Sequence, residues 1–163
     1  MSRCFLFLLF LANPMFSQTI ENTFYKIQVP VNTSIKAFQS THEALASIDS
    51  YQFIVNGKPK YIFYMMSNKL ETEVIVGLEN YKDFLFDIGD IDITKAEIFN
   101  DLIKVYYNYT DKKAIEGVIY IGIRGNILNR FLLMYPNQSS LKTFDEEVDL
   151  IVKDVDYRKT NWD

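Results

Sequence analysis

The chain contains one cysteine, one histidine and one tryptophan. With Cys4 alone, no intrachain disulfide can form, and a cysteine-built zinc or iron–sulfur site is excluded. His42 must serve any mechanism that needs an imidazole base. No Gly-x-Ser-x-Gly elbow supplies a nucleophile anywhere in the sequence. An excess of positive charge is lacking as well. Lys plus Arg number 17 against 21 Asp plus Glu, a net charge of −4, so there is no electrostatic reason to expect a nucleic-acid partner. No Gly/Ser-rich or Pro-rich linker divides the chain and no repeat period is visible, which favours a single domain after the leader.

Long apolar runs are scarce, and the one that stands out is short. Met1-Ser2-Arg3 precedes the unbroken apolar stretch Cys4 to Ala12, and Asn13-Pro14 then ends it. This is the order of regions in a secretory signal peptide. The stretch is about half the ~20 residues needed to cross a bilayer, so stable membrane insertion is not expected after cleavage. Cleavage is expected after Ser17, making 1–17 a leader and 18–163 one acidic, exported domain, periplasmic or extracellular. Removing the leader takes away Arg3 and Cys4, so the remaining chain has no thiol and one more net negative charge.

Aromatic residues are plentiful, with 13 Phe and 11 Tyr. Phe24 to Val29 alternates and stops at Pro30, as a strand does. Ser40-Thr41-His42-Glu43 has capping-box spacing before Ala44, Leu45 and Ile48, which predicts a short helix. Tyr51–Val55 and Lys60–Met66 flank Asn56-Gly57, the signature of a hairpin. Thr72–Val76 reads as a further strand. Leu78, Tyr81, Leu85 and Ile88 stand at helical spacing before Gly89. Residues 93–109 fit a helix capped at Thr94 or a hairpin turning at Asn100-Asp101, and the β-branched and Tyr residues of 102–109 favour the hairpin. Ile115–Arg124 and Ile127–Tyr135 form a last hairpin, and Thr143-x-x-Glu146 opens a helix with Phe144, Val148, Ile151 and Val155 inward and Glu147, Asp149, Lys153 and Asp154 mostly outward. The expected class is α+β: an antiparallel sheet of about six strands packed against helices, including a C-terminal one, as an α-β-α sandwich.

Three features in that order carry a resemblance: the opening strand Tyr25-Lys26-Ile27-Gln28-Val29-Pro30, a central antiparallel run, and the hairpin 118–135 leading into the helix Thr143 to Val155. The chain resembles the family of small α+β domains that includes photosystem II PsbP, bacterial DcrB-type proteins and a nuclear import factor of the Mog type. The likeness spans roughly 24–157. The family's usual Trp after the opening Pro is missing, with Phe38 the only aromatic nearby. The resemblance implies an accessory or assembly role and brings no catalytic residues.

Candidate chemistry is thin. His42, placed in a helix cap, reads as a surface residue. Asp87, Asp90 and Asp92 form the densest acidic group and are the candidate ligands for a hard cation, although the spacing fails an EF-hand loop. Asp90-x-Asp92-x-Thr94 also spells a phosphatase nucleophile motif outside its usual strand context. Glu71 and Glu73 share one strand face, with no opposing acid identified. Tyr61, Tyr64, Tyr106, Tyr107, Tyr109 and Tyr120 are the candidate partner or ligand surface, because Tyr couples contact area to a polar tip. Alternation sets Tyr61 against Tyr64, and Tyr106 against Tyr107 and Tyr109. Ordinary cross-strand pairing is the competing account. No cofactor is expected. The leading expectation is a non-enzymatic accessory domain binding an envelope or extracellular protein. The alternatives are a binder of small molecules or carbohydrates in an aromatic-lined cavity, and an acid-only hydrolase or metal enzyme.

Overall fold

The computed structural model describes residues 16–22, 24–30, 33–43, 45–55, 57–85, 88–111, 115–136 and 141–157. Their order is β1 (Phe16–Glu21), β2 (Tyr25–Pro30), β3 (Thr33–His42), β4 (Ala46–Val55), β5 (Lys58–Lys69), a 3-10 turn (Tyr81–Phe84), β6 (Ile91–Phe99), β7 (Leu102–Tyr109), β8 (Ile115–Arg124), β9 (Ile127–Pro136), α1 (Leu141–Lys153) and β10 (Asp156–Tyr157). The expected α+β sandwich is therefore wrong. The described chain is mostly β, in two antiparallel sheets, with α1 as the one α-helix among the described residues.

The large sheet runs β3-β4-β5-β9-β8-β7-β6 and the small one β1-β2-β10. Two meanders, β3 to β5 and β6 to β9, join where β5 pairs antiparallel with β9 (Ile62↔Met134 through Lys69↔Ile127). Three sequence turns fall where expected. Gly57 and Gly125 take the left-handed φ values of 73° and 59° that close the β4–β5 and β8–β9 hairpins, and Asn100 takes φ 55° between β6 and β7.

Among the described residues, neither helix expected before residue 90 forms as an α-helix. Ser40-Thr41-His42 belongs to β3, paired Ser40↔Asp49, Thr41↔Ile48 and His42↔Ser47, and Glu43 closes a turn by donating its N–H to the Ala46 carbonyl at 2.8 Å. The capping signal is local, and ten residues of ladder outweigh it. Around residue 80 the apolar spacing survives only as the 3-10 turn. Asn80, at the start of the turn, directs its side chain upstream instead of capping it: its Nδ2 donates to the Ile75 carbonyl at 2.8 Å while its Oδ1 accepts from the Gly77 N–H at 2.7 Å. These bonds compete with helical ones. Residues 72–76 are irregular rather than a strand.

The leader assignment concerns residues that, up to position 15, lie outside the described ones. Phe16 and Ser17 open β1, and Gln18 to Glu21 continue the pairing with β2. Among the described residues no helix is long and apolar enough to cross a membrane.

Each face of the large sheet has its own apolar cluster. On the inner face, the small sheet and α1 cover Phe53, Tyr61, Phe63, Met65, Leu102, Val118, Tyr120, Phe131 and Leu133, with Tyr25, Ile27, Val148 and Ile151 from the covering layer. On the outer face, Ile103, Val105, Tyr107, Ile119, Ile121, Leu128 and Leu132 lie under residues 70–88, which contribute Leu70, Val76, Tyr81, Phe84, Leu85 and Ile88. Topology dictates that second cover. From the end of β5 the chain must reach β6 at the far edge, so it crosses β9, β8 and β7 and never passes over β4 or β3.

Candidate functional site

The tyrosine candidates divide on burial. Tyr61, Tyr107 and Tyr120 are core residues, while Tyr64, Tyr106 and Tyr109 are half-buried. Tyr61 and Tyr64 lie on opposite faces, as do Tyr106 and the pair Tyr107 and Tyr109, in keeping with alternation; Tyr61, Tyr106 and Tyr120 belong to the inner cluster, and Tyr64, Tyr107 and Tyr109 to the outer. Tyr61 stacks on Phe53 at 4.9 Å, and Tyr107 meets Tyr109 edge-on at 5.5 Å. Burial raises the Tyr61 and Tyr107 hydroxyls well above the ordinary phenol range. The rings largely fill the space between layers.

Tyr106 and Tyr120 help enclose Lys104, which is only 2% exposed. Its Nζ lies 5.4, 5.0 and 5.5 Å from the ring centres of Phe99, Tyr106 and Tyr120, and donates to both Asp149 oxygens at 2.7 and 2.9 Å. Tyr120 Oη donates to the same carboxylate at 2.7 Å. Lys60 donates to Glu147 at 2.6 and 2.7 Å. Glu147 and Asp149, expected to face mostly outward, instead fasten α1 to the sheet.

Of the acidic group, Asp87 lies outside the described residues. Asp90 and Asp92 are exposed, in the bend before β6 and on β6 itself, and the Asp90 carbonyl accepts from Thr110 N–H and Oγ1 at 3.1 Å. Glu71 and Glu73 are exposed in the irregular stretch after β5, not on a strand face. Among the described residues no three His, Cys, Asp or Glu side chains converge to hold a metal ion.

The structure does gather a polar cluster that the sequence left scattered. Asp49, 1% exposed on β4, accepts hydrogen bonds from Ser40 Oγ at 2.6 Å, Asn22 Nδ2 at 2.8 Å and Tyr25 Oη, and lies 3.0 Å from His42 Nε2. Burial alone would raise its pKa, but the bonds from Ser40, Tyr25, His42 and Asn22 together hold the carboxyl below the usual carboxylate value. Ser40 Oγ is also 3.2 Å from His42 Nε2. A serine, a histidine and an aspartate in contact resemble a hydrolytic triad, but the connectivity differs. Ser40 gives its proton to Asp49 directly, and one imidazole nitrogen faces both Ser40 and Asp49. A triad needs the acid on Nδ1 and the serine on Nε2. This cluster instead ties β3 and β4 to the β1–β2 turn. Its sequence signal was Ser40 and His42 two residues apart, which a strand aligns on one face and a helix does not.

The remaining surface feature is the outer face of β3, β4 and β5. Phe38 is 53% exposed and Ile48 36% exposed, with Ile54, Ile62 and Met66 half-buried beside them. Phe38 is the extra residue of a bulge between Ala37 and Gln39, and Lys36 Nζ, on this side of the sheet, sits 5.7 Å from its ring centre. By register, the outward positions of β3, β4, β5 and β9 carry the cations Lys36 and Arg130 and no carboxylate. In an acidic protein that is a local inversion of sign.

No protein-family model and no curated protein matches the chain. It is similar to a crystal structure from Bacteroides thetaiotaomicron VPI-5482, at 14% identity and a TM-score of 0.49. That similarity covers 83% of this chain and 45% of the other, so the chain spans under half that protein's length.

Proposed function

We propose that the chain is an exported, non-catalytic binding domain whose outer β3–β5 face docks an apolar, acidic-flanked surface of another exported protein. The observation that carries this reading is Phe38 and Ile48, large apolar side chains left exposed on one face of the large sheet. Contiguous apolar exposure with a polar or charged border marks interaction surfaces. Lys36 and Arg130 favour an acidic partner and disfavour a second copy of this acidic chain. The order of residues 1–17 supports export.

Photo-crosslinking in exporting cells tests the proposal. A benzophenone side chain at position 38 or 48 is expected to form one adduct with an acidic protein, while the same group at exposed Leu150 forms none. Lys36→Glu is expected to remove the adduct. An adduct of twice the chain's mass, equal labelling at position 150, or indifference to Lys36→Glu defeats the reading.

A further inference from the structure

On the other side of the large sheet, where α1 ends, an open groove of about 410 Å³ is bounded by the β6–β7 turn, the end of β8 and β10. Leu102, Val152 and Val155, all buried residues, give it an apolar floor. Leu102 is seated deeply because Gly122 opposite has no side chain; a Cβ there would overlap the Leu102 methyl. Asn100, Asp101, Arg124 and Lys153 form the rim. Arg124 pairs with Asp101, and its guanidinium carbon lies 5.1 Å from the centre of the Tyr157 ring. Tyr157 also lines the groove, and its hydroxyl is buried with no hydrogen-bond partner among the described atoms. Burial pushes that hydroxyl up to about 12, against the pull of Arg124, so it remains a donor at neutral pH.

Ligand sites combine an apolar body with a few polar groups in this size range. Two cations against one carboxylate leave the rim one positive charge in excess. The Arg124–Asp101 pair is well exposed on both sides, and such pairs add little, so an incoming anion can take up the guanidinium at small cost. Arginine also presents paired donors that match a carboxylate.

We propose that this groove binds a small anionic amphiphile: an aliphatic or aromatic body against Leu102, Val152 and Val155, with a single carboxylate at Arg124 and Lys153. The site is separate from the outer β3–β5 face and does not depend on the function proposed for that face.

Calorimetric titration of the full chain with octanoate, and with octanol as the uncharged control, tests it. Octanoate is expected to bind at one saturable site, with octanol about tenfold weaker because the charge-assisted hydrogen bonds are lost. Arg124→Gln is expected to weaken octanoate about tenfold and the exposed-site variant Lys153→Gln about threefold, from the same loss of charge-assisted bonding. Phe38→Ala, on the other face, leaves the affinity unchanged. Circular dichroism confirms that each variant is folded, and Lys153→Gln keeps the test decisive if Arg124→Gln is not. Absence of saturable binding, equal affinity for octanol, or octanoate affinity that survives both rim substitutions overturns the proposal.

Discussion

The outer face of the large sheet has two halves that both carry large apolar side chains but differ in polar content and in cover. Across β7, β8 and β9, Ile103, Val105, Ile119, Ile121 and Leu132 are buried beneath residues 70–88. Across β3, β4 and β5, Ile48 and Phe38 are exposed and Ile54, Ile62 and Met66 only half-buried. Hydrophobicity separates the halves only in part, because the outward positions of β3 and β4 mix Phe38, Ile48 and Ile54 with Lys36, Gln39, Thr41, Ser50 and Gln52, and it does not by itself leave the apolar ones bare. The path of one connection does, because it has to travel from β5 to β6 over the strands between them. A patch of apolar side chains left bare by topology, and bordered by cations, is a surface that a partner can use.

Truncation should separate the halves most sharply. Leu132→Ala, under the cover, is expected to cost about 3 kcal/mol in urea denaturation, whereas Met66→Ala is expected to cost about 1 kcal/mol, because its site is already partly wet. Equal losses would show that the bare half is packed after all. Gly117→Ala comes next, at about 2 kcal/mol. Its Cβ would collide with the Tyr107 ring, which lies across Gly117 on the neighbouring strand, and with the Leu133 carbonyl.

The bare half must then owe its order to its inner face, and Asp49 is the place to test that. Asp49→Asn is expected to cost about 1.5 kcal/mol at pH 6, since several donors lose a charged acceptor. The folded-state pKa of Asp49 lies below the ordinary value, so its contribution is present above roughly pH 4 and is lost as pH falls through the folded value. The gap between wild type and Asp49→Asn should therefore narrow from pH 6 to pH 3; a constant gap would remove the carboxylate from the explanation. The smallest effect is expected on the bare surface itself. Ile48→Ser should change stability by no more than about 0.5 kcal/mol while weakening the proposed docking. A large loss of stability there would mean that Ile48 belongs to the core.

The legible parts of this fold were those with a local cause. Asn56-Gly57 and Gly125-Asn126 mark hairpins because a tight turn needs a left-handed residue, and the alternation of 102–109 and 115–135 marks strands because a sheet has two faces. Val148 and Ile151 announce the inward stripe of α1, and Val155, just past its end, is buried with them. Ser40 to Glu43 misled for an instructive reason. A capping box describes what four residues do alone, while Ser40 and His42 are held in β3 by Asp49 on the next strand. Of the period Leu78, Tyr81, Leu85 and Ile88, the last three join the cover over Ile103 and Leu132 without an α-helix, while Leu78 is left exposed.

Composition and pattern alone thus determined that intrachain disulfide chemistry is closed to the chain, that its last hairpin and final helix would form, and which tyrosines within one strand would share a face. Each follows from residue inventory, turn geometry or side-chain period. Tertiary structure alone decided that Glu147 and Asp149 turn inward to Lys60 and Lys104, that Asp49 collects donors from three segments, and that one half of a sheet face is covered while the other is bare. Those outcomes depend on which distant strands become neighbours, and no local signal in the chain records that choice.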